Sequence, residues 1–211
     1  MKKFELTNEF VTNMFGTKLF RIRALVEFGD VEAGELGGYV EKESNLGHDD
    51  NAWVYGDARV YDNALVYDNA RVYGDAWVYG DAWVYGNALV CGNARVYDNA
   101  RVYGDAQVSG DARVYDNARV YGNARVCGDA LVCGDARVCG NGDYAYAHGF
   151  GSVNRTTTFF RLKDGGVGVR CGCFYGTLAQ FRDKIRETHG ETKKAQEYLM
   201  LADLMKLRFE K

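Results

Sequence analysis

The chain has no proline among its 211 residues, and no histidine anywhere between residues 51 and 140. A disordered or linker-rich chain is usually proline-rich, so the absence argues for an ordered molecule. Nowhere do about 18 apolar residues run together, so nothing has the length and composition of a membrane-spanning helix. Met1-Lys2-Lys3-Phe4-Glu5 has two lysines but no apolar stretch behind them, which speaks against a secretory signal. Positive charge is also short: the formal net charge is −3, the wrong sign for a general nucleic-acid binder. No glycine-rich phosphate loop and no nucleophile elbow occurs.

The charge is unevenly spread. Residues 1–50 carry 6 basic and 10 acidic side chains, residues 51–140 carry 8 and 11, and residues 141–211 carry 12 and 8. Only the C-terminal stretch is basic. That surplus reads first as helix surface charge, with contact to something anionic as the alternative.

Glycine, by contrast, is abundant at 26, and it is periodic. From Asn51 the chain reads NAWVYG, DARVYD, NALVYD, NARVYG and onward to DARVCG, 15 uninterrupted hexads ending at residue 140. A period of six excludes ankyrin, tetratricopeptide and leucine-rich arrays, whose units run roughly 20 to 34 residues. Ala and Val stand two apart in each hexad, so they share one side of a short strand. The residue between them and the Tyr after Val point the other way. Gly, Asp and Asn then turn a corner, because they tolerate positive φ best. Three such hexads close a triangular coil of 18 residues. Five coils rising about 4.8 Å each make a prism roughly 24 Å long. Val40 and Leu46 extend the inward register backwards, while Lys42 and His48 fall where Val is due, so the first coil is irregular.

This pattern resembles the hexapeptide-repeat, left-handed parallel β-helix superfamily over all of 51–140. The left hand is an implication of that resemblance. The expectation is a mainly-β chain in three parts. Residues 1–50 form an N-terminal hairpin cap and the irregular first coil. Residues 51–140 form the β-helix of about five coils. Residues 141–211 form a C-terminal β-hairpin with two helices.

The caps follow from local signals. Phe4–Leu6 and Leu19–Phe28 read as strands around Phe15-Gly16-Thr17. Thr157–Leu162 and Val167–Phe174 alternate around Lys163-Asp164-Gly165-Gly166, a hairpin signal. Thr177-Leu178-Ala179-Gln180 matches a capping box, and His189-Gly190 ends the helix it starts. A second helix runs to about Leu207 with Ala195, Tyr198, Leu199, Ala202 and Met205 on one face.

Stacking every 18 residues turns the outward positions into columns. Tyr61, Tyr79, Tyr97 and Tyr115 line the second face, and Tyr67, Tyr85, Tyr103 and Tyr121 the third. Trp77 and Trp83 flank one corner, and with Leu65, Tyr67, Tyr79 and Tyr85 they form a contiguous patch. Stacked aromatics and Arg–Tyr neighbours stabilise a parallel sheet on their own account. Trp, Tyr and Arg also anchor interfaces, so the patch is a candidate contact surface whose simplest partner is another copy of the chain, as a dimer or trimer. Asp62, Asp81, Asp98, Asp116 and Asp135 form an acidic ridge along the corner between these faces. Solvated pairing with nearby arginines is its plain reading; a cation site and nucleic-acid mimicry are the others.

The six cysteines fit reduced thiols of a cytoplasmic protein. Cys127, Cys133 and Cys139 point out of three different faces. Cys91 and Cys127 stand about 10 Å apart, beyond disulfide reach. Cys171 and Cys173 read as neighbours on one strand, a poor bonding geometry. Cys-x-Cys without a second pair is a weak metal signal, so neither metal nor cofactor is expected.

A closer resemblance lies in Phe28-Gly29-Asp30-Val31, Leu36-Gly37-Gly38-Tyr39-Val40-Glu41 and Asn51-Ala52-Trp53-Val54-Tyr55. These look like β-helix proteins of bacteria and their phages, some of which carry a provisional transferase label. Gly172-Cys173-Phe174-Tyr175-Gly176-Thr177-Leu178 with Glu187-Thr188-His189-Gly190 is similar to C-terminal modules of phage proteins. Hexapeptide acyltransferases share the helix and use a catalytic histidine, acyl-CoA or acyl-carrier protein, and a loop protruding from the coils. This chain departs on two counts: no loop interrupts its hexads, and its histidines, His48, His148 and His189, all lie outside them. His148 is the best candidate base, with no orienting partner evident in sequence. A non-catalytic binding or scaffolding protein is therefore the leading expectation, presenting aromatic–arginine faces to its own copies and to protein partners in the host cytoplasm. An acyltransferase-like enzyme is the alternative, and an acidic mimic the lesser one.

Overall fold

A computed structural model describes residues 2–151 and 155–210. The hexads form what their alternation dictates. Fifteen two-residue strands, β4 (Trp53–Val54) through β18 (Arg137–Val138), follow one another at every sixth residue. Each of the first twelve pairs in parallel with the strand 18 residues on, as Arg95↔Arg113 and Val96↔Val114 do. The backbone ladder is regular: Arg95 N–H donates to the Ala112 carbonyl across 2.9 Å, and Tyr97 N–H to that of Val114 across 3.0 Å. The result is a parallel β-solenoid of about six turns, its faces built from three sheets.

Every Ala from Ala52 to Ala136 and every Val from Val54 to Val138 at the inward positions is at most 1% exposed. A fully buried valine is worth about 1.5–3 kcal/mol, so this dry column is the chief source of stability. The corners are held by a second ladder. Asn87 Nδ2 donates to Asp105 Oδ1 (2.9 Å) and Asn93 Nδ2 to Asp111 Oδ1 (3.0 Å), each bridging one coil to the next.

At the lower end, β1 (Phe4–Thr12) and β2 (Lys18–Ala24) form the expected antiparallel hairpin. The second strand stops at Ala24, not Phe28. The chain bends away there, Gly29 turns it at φ +54, and it returns as β3 (Leu36–Val40). That strand pairs antiparallel with β2 and parallel with Arg59–Val60, so the hairpin continues the sheet of the second face. Val40 and Leu46 point inward as their register requires, at 0% and 1% exposure.

The open end is plugged by side chains. Trp53 occupies an outward position by its register, yet it is fully buried. Phe4 and Phe28 close over it edge-on, with ring centroids 6.1 and 5.3 Å away. Lys3 is buried beside them and donates to the carbonyls of Ala52 (2.9 Å) and Asp50 (3.3 Å). Its ammonium also lies 4.6 Å from the Phe28 ring centroid. A solenoid end exposes unpaired carbonyls, and Lys3 satisfies these.

At the upper end the chain forms a four-stranded antiparallel sheet: β19 (Tyr144–Phe150), β20 (Arg155–Arg161), β21 (Val167–Cys171) and β22 (Phe174–Thr177). Strand alternation makes β20 two-sided. Phe160 belongs to the solenoid core, while Phe159 packs toward the helices. The stretch expected as one strand from Val167 to Phe174 is two, because Gly172 at φ +57 turns the chain and Cys173 lies in the turn. Cys171 and Cys173 therefore do not share a strand face.

Two helices cover the outer side of this sheet: α1 (Leu178–His189) and α2 (Lys193–Phe209). The Thr177–Gln180 capping box forms, and Gly190 at φ +56 ends α1. Ala195, Tyr198, Ala202 and Met205 are buried against α1 and the sheet. No helix among the described residues is long and apolar enough to cross a membrane.

Candidate functional site

The outward columns become rigid ladders. On the second face, Tyr61, Tyr79, Tyr97 and Tyr115 stack in parallel with successive centroids 5.0 Å apart and planes within 3°. On the third face, Tyr67, Tyr85, Tyr103 and Tyr121 stack at 4.9–5.1 Å and within 8°. The spacing is that of the parallel strands beneath. One consequence is geometric: the ring faces are spent on one another, so the ladder offers a partner its ring edges and hydroxyls.

The tryptophans are also engaged. Trp77 is sandwiched between the guanidinium groups of Arg59 and Arg95, at 5.2 and 4.8 Å from its ring. Trp83 has Arg101 over it at 4.5 Å and meets the edge of Tyr67 at 6.4 Å. Each cation–π contact is worth about 0.5–1 kcal/mol at exposed sites.

The six patch residues divide at the corner Gly80-Asp81. Trp77 and Tyr79 lie on the second face, where both meet Tyr61 of a cluster that also holds Leu19 and Tyr39 of the N-terminal hairpin and its continuation. Leu65, Tyr67, Trp83 and Tyr85 lie on the third face, all partly exposed. Among the described residues that cluster does not extend to them.

Burial sets the chemistry of these phenols. Tyr97 is pushed up to about 12, first by desolvation and then by Tyr79 beside it, with Arg113 opposing. Tyr61 and Tyr115 are raised further, again chiefly by burial. These three phenols therefore stay neutral at physiological pH.

The acidic ridge is used from coil to coil. Asp62 Oδ2 accepts from Gly80 N–H at 3.2 Å, Asp116 Oδ2 from Gly134 N–H at 3.1 Å, and Asp98 Oδ2 from Asp116 N–H at 3.5 Å. Asp81 Oδ1 accepts from Asn63 Nδ2 at 3.1 Å. Asp62, Asp98 and Asp116 themselves occupy the left-handed corner positions, at φ +57, +55 and +56. Asp135 differs: its backbone carbonyl receives Lys163 N–H from the C-terminal hairpin. Among the described residues no group of three or more His, Cys, Asp or Glu side chains is placed to hold a metal.

His148 lies on β19, exposed above the last coil. Its Nδ1 is 2.9 Å from Thr156 Oγ1 and 3.9 Å from Asp129 Oδ2. These partners come from β20 and from a solenoid corner, so sequence proximity could not reveal them. Arg113, Leu131 and Arg155 line the same open groove. His48 has a different use: it stacks on Phe4 at 4.5 Å and accepts from Lys3 N–H. All six cysteines are free thiols. Cys133, outward by register, is buried under the C-terminal sheet, and that burial raises its pKa.

The YdcK beta solenoid repeat matches in overlapping stretches, 52–67, 58–74 and 64–80, then 94–110, 106–122, 112–128 and 118–134. The chain is a β-solenoid repeat protein. All seven matched stretches begin on inward alanines and fall within the solenoid repeats of residues 51–140. No curated protein matches the chain.

Proposed function

We propose that this β-solenoid is a non-catalytic binding or scaffolding protein that uses its third face for self-association and for a protein partner. The observation that carries the reading is the ordering of that face. Leu65, Tyr67, Trp83 and Tyr85 are partly exposed, and the three rings are already fixed by stacking and by Arg101, so little of their side-chain entropy remains to be lost on docking. The resemblance to hexapeptide-repeat proteins supports left-handed coils. The resemblance to bacterial and phage proteins supports a host factor, met in the cytoplasm, as the second partner.

The test is the solution mass of wild type and of the Trp77→Ala/Trp83→Ala double variant, by light scattering on a sizing column. A wild-type dimer or trimer that falls to monomer, with its circular dichroism unchanged, supports the reading. A wild-type monomer removes self-association from it.

A second reading rests on His148. The hydroxyl of Thr156 and the carboxylate of Asp129 are the kind of orienting partners a general base needs. Acyl-CoA binding that is lost in His148→Ala supports an acyltransferase-like enzyme; absence of binding removes it.

A further inference from the structure

The C-terminal module contains a hollow of about 200 Å³ between the end of β21 and the two helices. Phe174, Phe181, Ile185 and Tyr198 supply apolar walls. Phe181 and Ile185 come from one face of α1, since they are four residues apart. Cations and polar groups ring the mouth: Arg155 from β20, and Lys184, Thr188 and His189 from α1.

The charge is unbalanced. Lys184 has Glu187 at 2.9 Å, but the Arg155 side chain makes no ion pair or hydrogen bond among the described residues. Its guanidinium lies across Gly172, where any Cβ would collide with it, so the bare glycine leaves the space that Arg155 occupies. The C-terminal end of α1 points a partial negative charge toward the same region, worth about half an elementary charge. Arg155, with one full charge, outweighs it. This is also the one third of the chain with a basic surplus, 12 basic against 8 acidic side chains.

We infer that this hollow binds a small organic anion: one carboxylate on an aromatic ring or a branched apolar body of about that size. Volume sets the size, since an apolar cavity of about 150 Å³ accepts a benzene ring. Arg155 sets the charge, because its planar fork matches a carboxylate. Thr188 adds a hydroxyl to the lining. This site is independent of the third face of the solenoid, and neither reading needs the other.

The experiment is calorimetric titration of the full chain with benzoate, with benzyl alcohol as the uncharged probe and inorganic phosphate as the ring-free one. Arg155→Gln and Lys184→Gln are the variants, because both side chains lie at the mouth and neither is in the core. The expected result is saturable benzoate binding, weakened about tenfold or more in Arg155→Gln and by a smaller factor in Lys184→Gln. Benzyl alcohol and phosphate should each bind at least about tenfold more weakly than benzoate. No saturable benzoate binding up to about 10 mM overturns the inference. So does benzoate binding that is equal in wild type and both variants, or matched by benzyl alcohol.

Discussion

The Lys3 ammonium donates to the Ala52 carbonyl across 2.9 Å, from inside the lower end of the solenoid. A lysine this deeply buried is costly to keep charged, and desolvation lowers its pKa to about 8 against the opposing pull of Asp50 and Asp49. Below pH 8 both folded and unfolded chains hold the proton, and the full cost of burial is felt. Between about pH 8 and 10.5 the unfolded chain still holds it while the folded chain has let it go. Stability therefore rises with pH across that window. The gain expected is on the order of 2–3 kcal/mol. Denaturant titrations of wild type and Lys3→Met at pH 7, 8, 9 and 10 measure it. The variant should lack the rise, and parallel profiles would refute the assignment.

The tyrosine ladders act in the opposite sense at higher pH. Tyr61, Tyr79, Tyr97 and Tyr115 have raised folded-state values, Tyr97 to about 12. Their contribution is complete below the unfolded value near pH 10 and is lost as pH climbs through the folded value. Tyrosinate absorbance should therefore lag behind that of free tyrosine. It should then rise together with the loss of β circular dichroism. Ladder tyrosines that ionise near pH 10 while the fold persists would contradict this.

Corner glycines differ in what surrounds them. Gly86 sits at φ +70, and a Cβ there would stand 2.9 Å from the Gly104 backbone nitrogen of the next coil. Gly16, in the N-terminal hairpin, sits at φ +85 with nothing within 4 Å. Gly16→Ala should cost only backbone strain, about 1 kcal/mol. Gly86→Ala adds a collision with backbone that cannot yield without moving a coil, and should cost about 2–3 kcal/mol. Equal melting temperatures for the two variants would mean the coils separate more easily than their ladder implies.

The repeat was legible in sequence because each hexad states the same local rule fifteen times. Inward alanine and valine, corner glycine and aspartate, and an 18-residue register all follow from alternation and turn chemistry. What escaped depends on which parts fold over which. Trp53 occupies an outward position, and only the arrival of Phe4 and Phe28 buries it. Cys133 is outward until the C-terminal sheet covers it. The turn at Gly172-Cys173 sits within a run that alternates like one strand, and nothing short-range marks the break except the glycine. Asp129 and Thr156 come to His148 from separate elements, a juxtaposition that spacing cannot carry.

The two patch tryptophans should part company for the same reason. By sequence they are equivalent: each precedes an inward valine, six residues apart on either side of one corner. In the fold, Trp77 meets Tyr61 of the cluster that also holds Leu19 and Tyr39, and carries an arginine on each ring face. Trp83 has one arginine over its ring, and among the described residues that cluster does not reach it. Trp77→Ala should therefore act on folding, lowering stability by about 2 kcal/mol through lost packing against Tyr61 and two arginines. Trp83→Ala should cost less in folding and act on assembly, because truncating a partly exposed anchor removes contact area from the face proposed to dock. The two single variants, compared by denaturant midpoint and by solution mass, separate these effects. If Trp83→Ala leaves the mass unchanged while Trp77→Ala lowers it, the contact surface is the second face with its hairpin, and the third-face assignment fails.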